Sequence, residues 1–215
     1  MTGTSTFLDQ CRKPAGWWGH ITLRRMNWSH SRLTDWGLSH ICVAKESTVL
    51  DIGCGGGRTV GKLAAMATAG KVWGIDHADA SVAAATKTNA RLIDEARVQI
   101  RRSSVSQLPF ADNTFDVVTA VETHFFWPDL PADVREILRV MKPGATLVII
   151  AEVYKGAATR TARLCEKYAP LTGMKLLSAD EHRDLLSSAG FIDVRVIEKK
   201  DSGWISAIGR KASIS

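Results

Sequence analysis

The chain has 215 residues, 45% of them hydrophobic and 23% charged, which is the composition of a folded globular protein with one substantial core. Its net charge of +6 would suit an anionic partner, but the basic residues are scattered in separate pairs, which argues against nucleic-acid binding. No signal peptide is recognisable, and the longest apolar run, Leu147 to Ala151, is too short to cross a bilayer, so we expect a cytoplasmic protein without membrane insertion.

Residues 1–45 differ from the rest of the chain, because they hold four of the seven tryptophans. A helix from Trp17 to Trp28 would place His20 and Asn27 on one face, with His30 one turn further on. This polar stripe suits either the inner face of a lid that meets a substrate or a helix face turned to solvent. The three histidines His20, His30 and His40 are spaced too widely for one metal site, and no metal is predicted.

From Thr48 onward, short β-rich runs alternate with longer helical patterns, which is typical of a parallel sheet covered by crossover helices. The last two predicted strands are joined by a turn so short that they must be antiparallel neighbours. The predicted strands are 49–52, 71–75, 98–101, 115–121, 146–152, 191–198 and 204–211, and the predicted helices are 59–69, 78–95, 130–141, 160–168 and 179–189.

The first turn of this pattern is rich in glycine and reads TVLDIGCGGGRTVGKLA from Thr48 to Ala64. A strand, a glycine turn and a helix start form a ligand site at the carboxyl edge of a parallel sheet. The dinucleotide pattern G-x-G-x-x-G fails, because the sixth positions are Arg58 and Val60, and a phosphate-binding P-loop fails because the loop is too short. The pattern that fits is acid-x-G-x-G-x-G, beginning at Asp51.

With this loop the chain resembles the class I S-adenosylmethionine-dependent methyltransferases, particularly the small-molecule enzymes of ubiquinone and menaquinone biosynthesis. Four more stretches share the likeness, which covers about residues 48–196: VWGID, LPFADNTFDVVTA, ILRVMKPGATLVII and SSAGFIDVRV. The resemblance implies a Rossmann-like, doubly wound α/β fold with a mostly parallel seven-stranded sheet that ends in an antiparallel hairpin. We expect a helical cap or lid over the active site in residues 1–45 and the cofactor-binding methyltransferase domain in residues 46–215.

The same resemblance implies how S-adenosylmethionine is bound. Asp51 and the loop backbone would hold the methionine end, with contributions from Gly53, Cys54 and Gly55. Asp76 would accept hydrogen bonds from both ribose hydroxyls, since a carboxylate offers two acceptor oxygens. His77 would lie against the adenine, and the adenine contacts would come from Ser104 and Val105, where the family usually has aspartate and alanine.

Groups that face the methyl acceptor should come from the loops after strands four and five, because these lie over the same sheet edge. The first loop, ETHFFWPDL, offers Glu122 and His124 as catalytic groups and Trp127 as a pocket wall. His124 could instead be a surface or hydrogen-bonded structural histidine. Tyr154, after strand five, is a further pocket candidate whose alternative role is packing.

The predicted function is therefore transfer of a methyl group from S-adenosylmethionine to a small molecule, by direct displacement. Methylation of RNA or protein is an alternative, but the loop after strand four lacks the Asn/Asp-Pro-Pro-aromatic signature of base-amine methylation. A regulator that binds the cofactor without catalysis is the third possibility. The sequence identifies neither the acceptor atom nor the oligomeric state.

Overall fold

The computed structural model of the protein describes residues 31–213. The strands are β1 (Thr48–Ile52), β2 (Lys71–Asp76), β3 (Val98–Arg102), β4 (Phe115–Val121), β5 (Met141–Ala151), β6 (Ile192–Lys199) and β7 (Trp204–Arg210). The helices are α1 (Ser31–Leu38), α2 (Arg58–Met66), α3 (Asp79–Thr88), α4 (Ala90–Asp94), α5 (Leu130–Val140), α6 (Arg160–Thr172) and α7 (Ala179–Ser188). A short 3₁₀ turn, His124–Phe126, follows β4.

All seven strands form one sheet in the order β3-β2-β1-β4-β5-β7-β6. β1 pairs in parallel with β2 and β4, and the parallel pairing continues to β3 on one side and β5 on the other. β7 is antiparallel to both β5 and β6, so it alone runs against the other six strands. The fold class predicted from the sequence is confirmed.

Helices cover both faces of the sheet, and successive strand residues pack to opposite sides. Leu147 and Val148 of β5, for example, belong to separate apolar clusters. The cluster that contains Leu147 also contains buried residues of α5 and α7, whereas the cluster of Val148 includes residues of α1, α2 and α3. A third, smaller cluster at the carboxyl end of β5 is formed around Phe125, Ala151 and Tyr154.

Two of the predicted elements differ most from the structure. The expected helix 78–95 is divided at the buried Asn89, whose side-chain amide donates to the carbonyl of Ala85 at 2.9 Å and so competes with the regular helix pattern. The strand expected from residue 146 already begins at Met141, directly after α5. Continuous pairing of β5 with β4 begins only at Thr146, beyond Pro143, which has no N–H to donate.

Helix α1 ends beside β5, and the chain that follows it runs toward the amino edge of the sheet. Gly37 packs closely on Ile150 near the carboxyl end of β5, since a Cβ there would lie 2.4 Å from the Ile150 Cδ1 atom. Farther along the chain, His40 lies beside Thr146, toward the amino end of the same strand. Residues 1–30 of the predicted cap lie outside the described residues.

Candidate functional site

A cleft opens at the carboxyl edge of the sheet, where β1 lies between β2 and β4. Chain connections leave in opposite directions at this point, which makes it the usual place for a ligand in an open α/β sheet. Loops that follow β1, β2, β3 and β4 all contribute to the cleft. It is lined by six of the residues predicted from the sequence: Gly53, Asp76, His77, Ser104, Val105 and Trp127.

The glycine loop requires residues without side chains for two separate reasons. Gly53, Gly55 and Gly57 have φ values of 70°, 51° and 79°, in the left-handed region that favours glycine. In addition, a Cβ on Gly53 would lie 2.2 Å from the Thr123 Oγ1 atom, so the loop after β4 closes directly against this position. Gly53 thus allows the first and fourth strands to bring their loops together.

The first three backbone donors of this loop are used within the protein. The N–H groups of Gly53 and Cys54 both donate to the carbonyl of Ile75, at 2.8 and 2.9 Å, and the N–H of Gly55 donates to Asp76 at 3.0 Å. A phosphate group would need such donors free. Two carboxylates, those of Asp51 and Asp76, flank the loop, and they suit a ligand that carries positive charge and hydroxyl groups.

Asp76 ends β2 and connects two cleft loops through one carboxylate. Its Oδ2 atom accepts from the N–H of Gly55 at 3.0 Å, and its Oδ1 atom accepts from the N–H of Ala78 at 2.9 Å. The residue is 7% exposed and borders the cleft, so its orientation is fixed while its remaining lone pairs face a ligand. This is the arrangement needed to accept two hydrogen bonds from vicinal hydroxyls.

Asp51 lies beneath the loop as a buried acid. It is 1% exposed, and the hydroxyl of Thr119 on β4 donates to its Oδ1 atom at 2.6 Å. Burial raises the pKa of Asp51 to about 7, and the nearby charge of Asp76 adds to the increase, against the opposing effect of the Thr119 hydrogen bond. A positively charged ligand would favour the ionised form of Asp51. The sequence did not reveal Thr119, because its place beside Asp51 depends on the register of β1 with β4.

The loop that follows β3 lines one end of the cleft, and the loop that follows β4 lines the other end. The N–H of Ser103 donates to the carbonyl of Asp76 at 3.0 Å and fixes this loop to β2. Ser104 is exposed, with its hydroxyl accepting from the N–H of Ser106 at 3.2 Å, and Val105 is buried. His77 is exposed, with its Nδ1 atom 3.7 Å from Asp76. Ser104, Val105 and His77 all line the cleft, and their contact with adenine stays a prediction.

A wall of the cleft comes from Thr123, Phe126, Trp127 and Pro128, around the 3₁₀ turn after β4. Trp127 is 4% exposed, and its indole N–H donates to the Thr123 hydroxyl at 3.4 Å. Sequence reasoning selected Trp127 but missed Thr123, Phe126 and Pro128. They belong to the same short loop, so its aromatic character was the available signal.

Comparison with known proteins determines the family. A family described as "Methyltransferase domain" matches residues 50–149, the part of the chain that contains the glycine loop, Asp76 and β4. The O-methyltransferase cnsE of Penicillium expansum is 31% identical over 158 residues, which are 73% of this chain and 56% of that protein. The demethylmenaquinone methyltransferase of Lactiplantibacillus plantarum is 35% identical over 114 residues, 53% of this chain and 48% of that protein.

A solved structure, the SAM dependent methyltransferase from Aquifex aeolicus, has the same fold. Its TM-score is 0.70 at 22% identity, with 96% of this chain and 97% of that chain covered. The chain belongs to the class I S-adenosylmethionine-dependent methyltransferases. Its cofactor is accordingly S-adenosylmethionine. The methyltransferase spans about half the length of these two sequence relatives, 56% and 48%.

The two predicted catalytic residues of the methyltransferase lie outside the cleft lining. Glu122 has a φ of 58°, an uncommon conformation for a residue with a side chain, and its carboxylate accepts from the N–H of Glu152 at the end of β5. His124 is fully buried, with its Nε2 atom 3.1 Å from the Nε2 atom of His182. Burial, and then His182, hold the pKa of His124 well below its usual range.

The remaining predicted acceptor residues are also placed away from the cleft or outside the described region. Tyr154 is 6% exposed and packs in the cluster with Phe125 and Ala151. Burial and a hydrogen bond to Glu198 raise its pKa to about 12. His20, Asn27 and His30 lie outside the described residues, so their predicted role stays a prediction.

Neither a metal centre nor a membrane span is found in the described part of the methyltransferase. Within residues 31–213, no three histidine, cysteine or acidic side chains are grouped so that they could hold a metal ion. No helix in the same range has both the length and the apolar character to cross a bilayer. The expected cytoplasmic location stays a prediction.

Proposed function

We propose that this methyltransferase domain transfers a methyl group from S-adenosylmethionine to a nucleophilic atom of a small molecule by direct displacement. The observation that carries the proposal is the pair of carboxylates, Asp51 and Asp76, beside a glycine loop whose first three N–H donors are used internally. S-adenosylmethionine has a sulfonium, an ammonium and two ribose hydroxyls, and these groups are complementary to carboxylates. The matched O-methyltransferase and demethylmenaquinone methyltransferase support a small-molecule acceptor.

The residues on the described part of the chain fit this cofactor in a consistent order. We assign the ribose hydroxyls to Asp76 and the positively charged methionine end to the side nearest Asp51. His77, Ser104 and Val105, at the far end of the cleft, would contact the adenine. Because the N–H groups of Gly53 and Cys54 donate to Ile75, contact from those residues would use their carbonyl oxygens.

When bound, the cofactor supplies a methyl group that its sulfonium sulfur already activates. The acceptor atom would donate a lone pair to the methyl carbon as the carbon–sulfur bond broke, and the electron pair of that bond would remain on sulfur. The protein must align the acceptor opposite that bond and exclude water. The buried Trp127 and the adjoining Phe126 form an apolar wall suited to this task.

Glu122 is the stronger of the two predicted catalytic groups. It lies at the carboxyl end of β4 in a strained conformation, and such strain is concentrated at functional sites. We propose that Glu122 accepts the proton released by a hydroxyl or amine acceptor. His124 is fully buried against His182, which suits support of the cleft wall better than proton transfer.

We also propose that the N-terminal segment closes the acceptor side, with His20, Asn27 and His30 toward the substrate. The position of α1 supports this proposal, because its Gly37 packs on Ile150 near the carboxyl edge, where the cleft opens. Trp36 of α1 contacts Trp204 at this edge, with ring centroids 5.9 Å apart. A segment of 30 residues is long enough to reach across the cleft.

Calorimetry of the purified protein with S-adenosylmethionine and S-adenosylhomocysteine tests the binding site. A panel of phenols, amines and thiols, followed by S-adenosylhomocysteine release, tests the acceptor class. Glu122→Gln should lower turnover with hydroxyl or amine acceptors and leave cofactor affinity within about twofold. Absence of cofactor binding would disprove the proposal, whereas turnover only with RNA or a protein would replace the small-molecule acceptor by that alternative.

A further inference from the structure

The cleft wall is held from outside by the segment that joins α6 to α7. We use the term wall loop for residues 123–128, which include the 3₁₀ turn after β4. Lys175, three residues after the end of α6, donates three hydrogen bonds to this loop. Its backbone N–H reaches the carbonyl of Phe125 at 2.9 Å, and its Nζ atom reaches the carbonyls of Trp127 at 2.8 Å and Pro128 at 2.7 Å.

A pair of buried histidines provides a second connection between the same two parts. The Nδ1 atom of His182, on α7, lies 2.8 Å from the carbonyl of Ser178, so this nitrogen carries the proton of the neutral ring. The Nε2 atom of His182 must then accept from the Nε2–H of His124, at 3.1 Å. Both histidines are 0% exposed.

The wall loop depends on these outside contacts because its own hydrogen bonds are few. Within the loop, Phe126 N–H donates to Thr123 and Trp127 N–H donates to His124, each at 3.2 Å. Short 3₁₀ turns have poor hydrogen-bond geometry and limited stability of their own. Two charge-assisted bonds from a lysine are stronger than either of these. A shift of the loop would move Trp127 and Thr123, which border the cofactor cleft.

We propose that Lys175 is a positioning residue for methyl transfer, which holds the wall loop in the shape that binds the cofactor, with the His124–His182 pair as its second support. The proposal rests on the proposed function for the identity of the ligand. It also connects α6 to the cofactor site, because Lys175 lies three residues after the end of that helix. α6 exposes the apolar side chains Leu164, Tyr168 and Leu171 at the same end of the fold.

The test compares three variants of the full chain. Lys175→Met removes both side-chain donors and should raise the dissociation constant of S-adenosylhomocysteine by about tenfold. Lys175→Arg can donate to the same two carbonyls and should recover most of the affinity. Lys167→Met is the matched control, because Lys167 is an exposed lysine of α6 whose ammonium lies 5.5 Å from the centre of the Tyr168 ring. It should bind as the original protein does.

Hydrogen exchange of the wall loop, measured without cofactor, separates this proposal from the proposed function. Lys175→Met should speed exchange in residues 123–128 and leave β1 and β2 unchanged. If the original protein does not bind S-adenosylhomocysteine, the proposed function fails, and faster exchange still supports the role of Lys175 in holding the loop. Unchanged exchange together with unchanged affinity would overturn the inference. If Lys175→Met does not fold, Lys175→Gln replaces it, since its amide removes the charge and keeps two donors.

Discussion

The hydroxyl of Thr119 on β4 donates a 2.6 Å hydrogen bond to the carboxyl group of Asp51 on β1, beneath the cofactor loop. This bond favours ionised Asp51, but burial outweighs it and raises the pKa of Asp51 to about 7. Near neutral pH the acid is therefore close to its midpoint. Ligand binding and protein stability should both depend on this titration, in opposite directions.

Affinity for S-adenosylmethionine should increase with pH. Because a cationic ligand favours the carboxylate, the dissociation constant should fall about tenfold from pH 6 to pH 8 if only ionised Asp51 binds it. Calorimetry at several pH values measures the change. Asp51→Asn should bind more weakly and lose most of the pH dependence. If the affinity of the unaltered protein did not change with pH, Asp51 would not interact with the charge of the ligand.

Stability without ligand should show the opposite trend. The folded pKa of Asp51 is raised from 3.8 to about 7, so the folded state binds the proton more tightly and loses stability as pH rises through this range. Asp51→Asn cannot ionise and keeps an oxygen that accepts from Thr119. Relative to the original protein, its free energy of unfolding should increase by on the order of 3 kcal/mol from pH 4 to pH 8. Urea denaturation of both proteins at pH 4 and at pH 8 measures this difference in the free energy of unfolding. A difference that is the same at both pH values would contradict the assigned pKa.

Asp76 should be essential for affinity because it serves both the ligand and the loop. Asp76→Asn replaces one acceptor oxygen by an NH₂ group, which would face the N–H of Gly55 or Ala78. The dissociation constant of S-adenosylhomocysteine should rise about tenfold or more. Asp79→Asn is the control, since the Asp79 side chain is 79% exposed and forms a 3.3 Å ion pair with Arg102 on the surface. Equal affinities for the two variants would remove the ribose assignment.

The sequence predicted those parts of the site that depend on local patterns. The glycine loop and Asp76 each follow a recognisable β-strand, and the parallel direction of the first five strands follows from their alternation with helices. Thr119 and Lys175 could not be predicted in this way, because the first requires the β1–β4 register and the second requires the packing of a later loop on an earlier one. His124 was selected for its chemistry, and only burial distinguishes its place from that of a cleft residue.

Gly53→Ala should cost more than backbone strain alone. A residue with a Cβ at its φ of 70° costs about 1 kcal/mol, and the same applies to Gly173 at 68°. No other atom lies within 4 Å of a Cβ on Gly173, whereas on Gly53 it would overlap Thr123. Urea denaturation should therefore show a loss larger by about 1–2 kcal/mol for Gly53→Ala than for Gly173→Ala. Only Gly53→Ala should weaken cofactor binding. Similar losses for both would mean that the loops adjust freely.

Asn89 connects the far end of the glycine loop to the helices behind it. Its side-chain amide donates to the carbonyls of Gly57 and Ala85, each at 2.9 Å, and it is 3% exposed. Asn89→Ala loses both bonds and leaves a small cavity, so the free energy of unfolding should fall by about 2 kcal/mol. Thr88→Ala removes a hydrogen bond of similar length, 2.9 Å to the carbonyl of Ala84, at an exposed position, and should change stability by less than about 0.5 kcal/mol. Because Gly57 is the N-cap of α2 and has a φ of 79°, loss of Asn89 should also loosen the loop and raise the dissociation constant of S-adenosylhomocysteine several-fold. Reduced stability with unchanged affinity would show that Asn89 supports the helices alone.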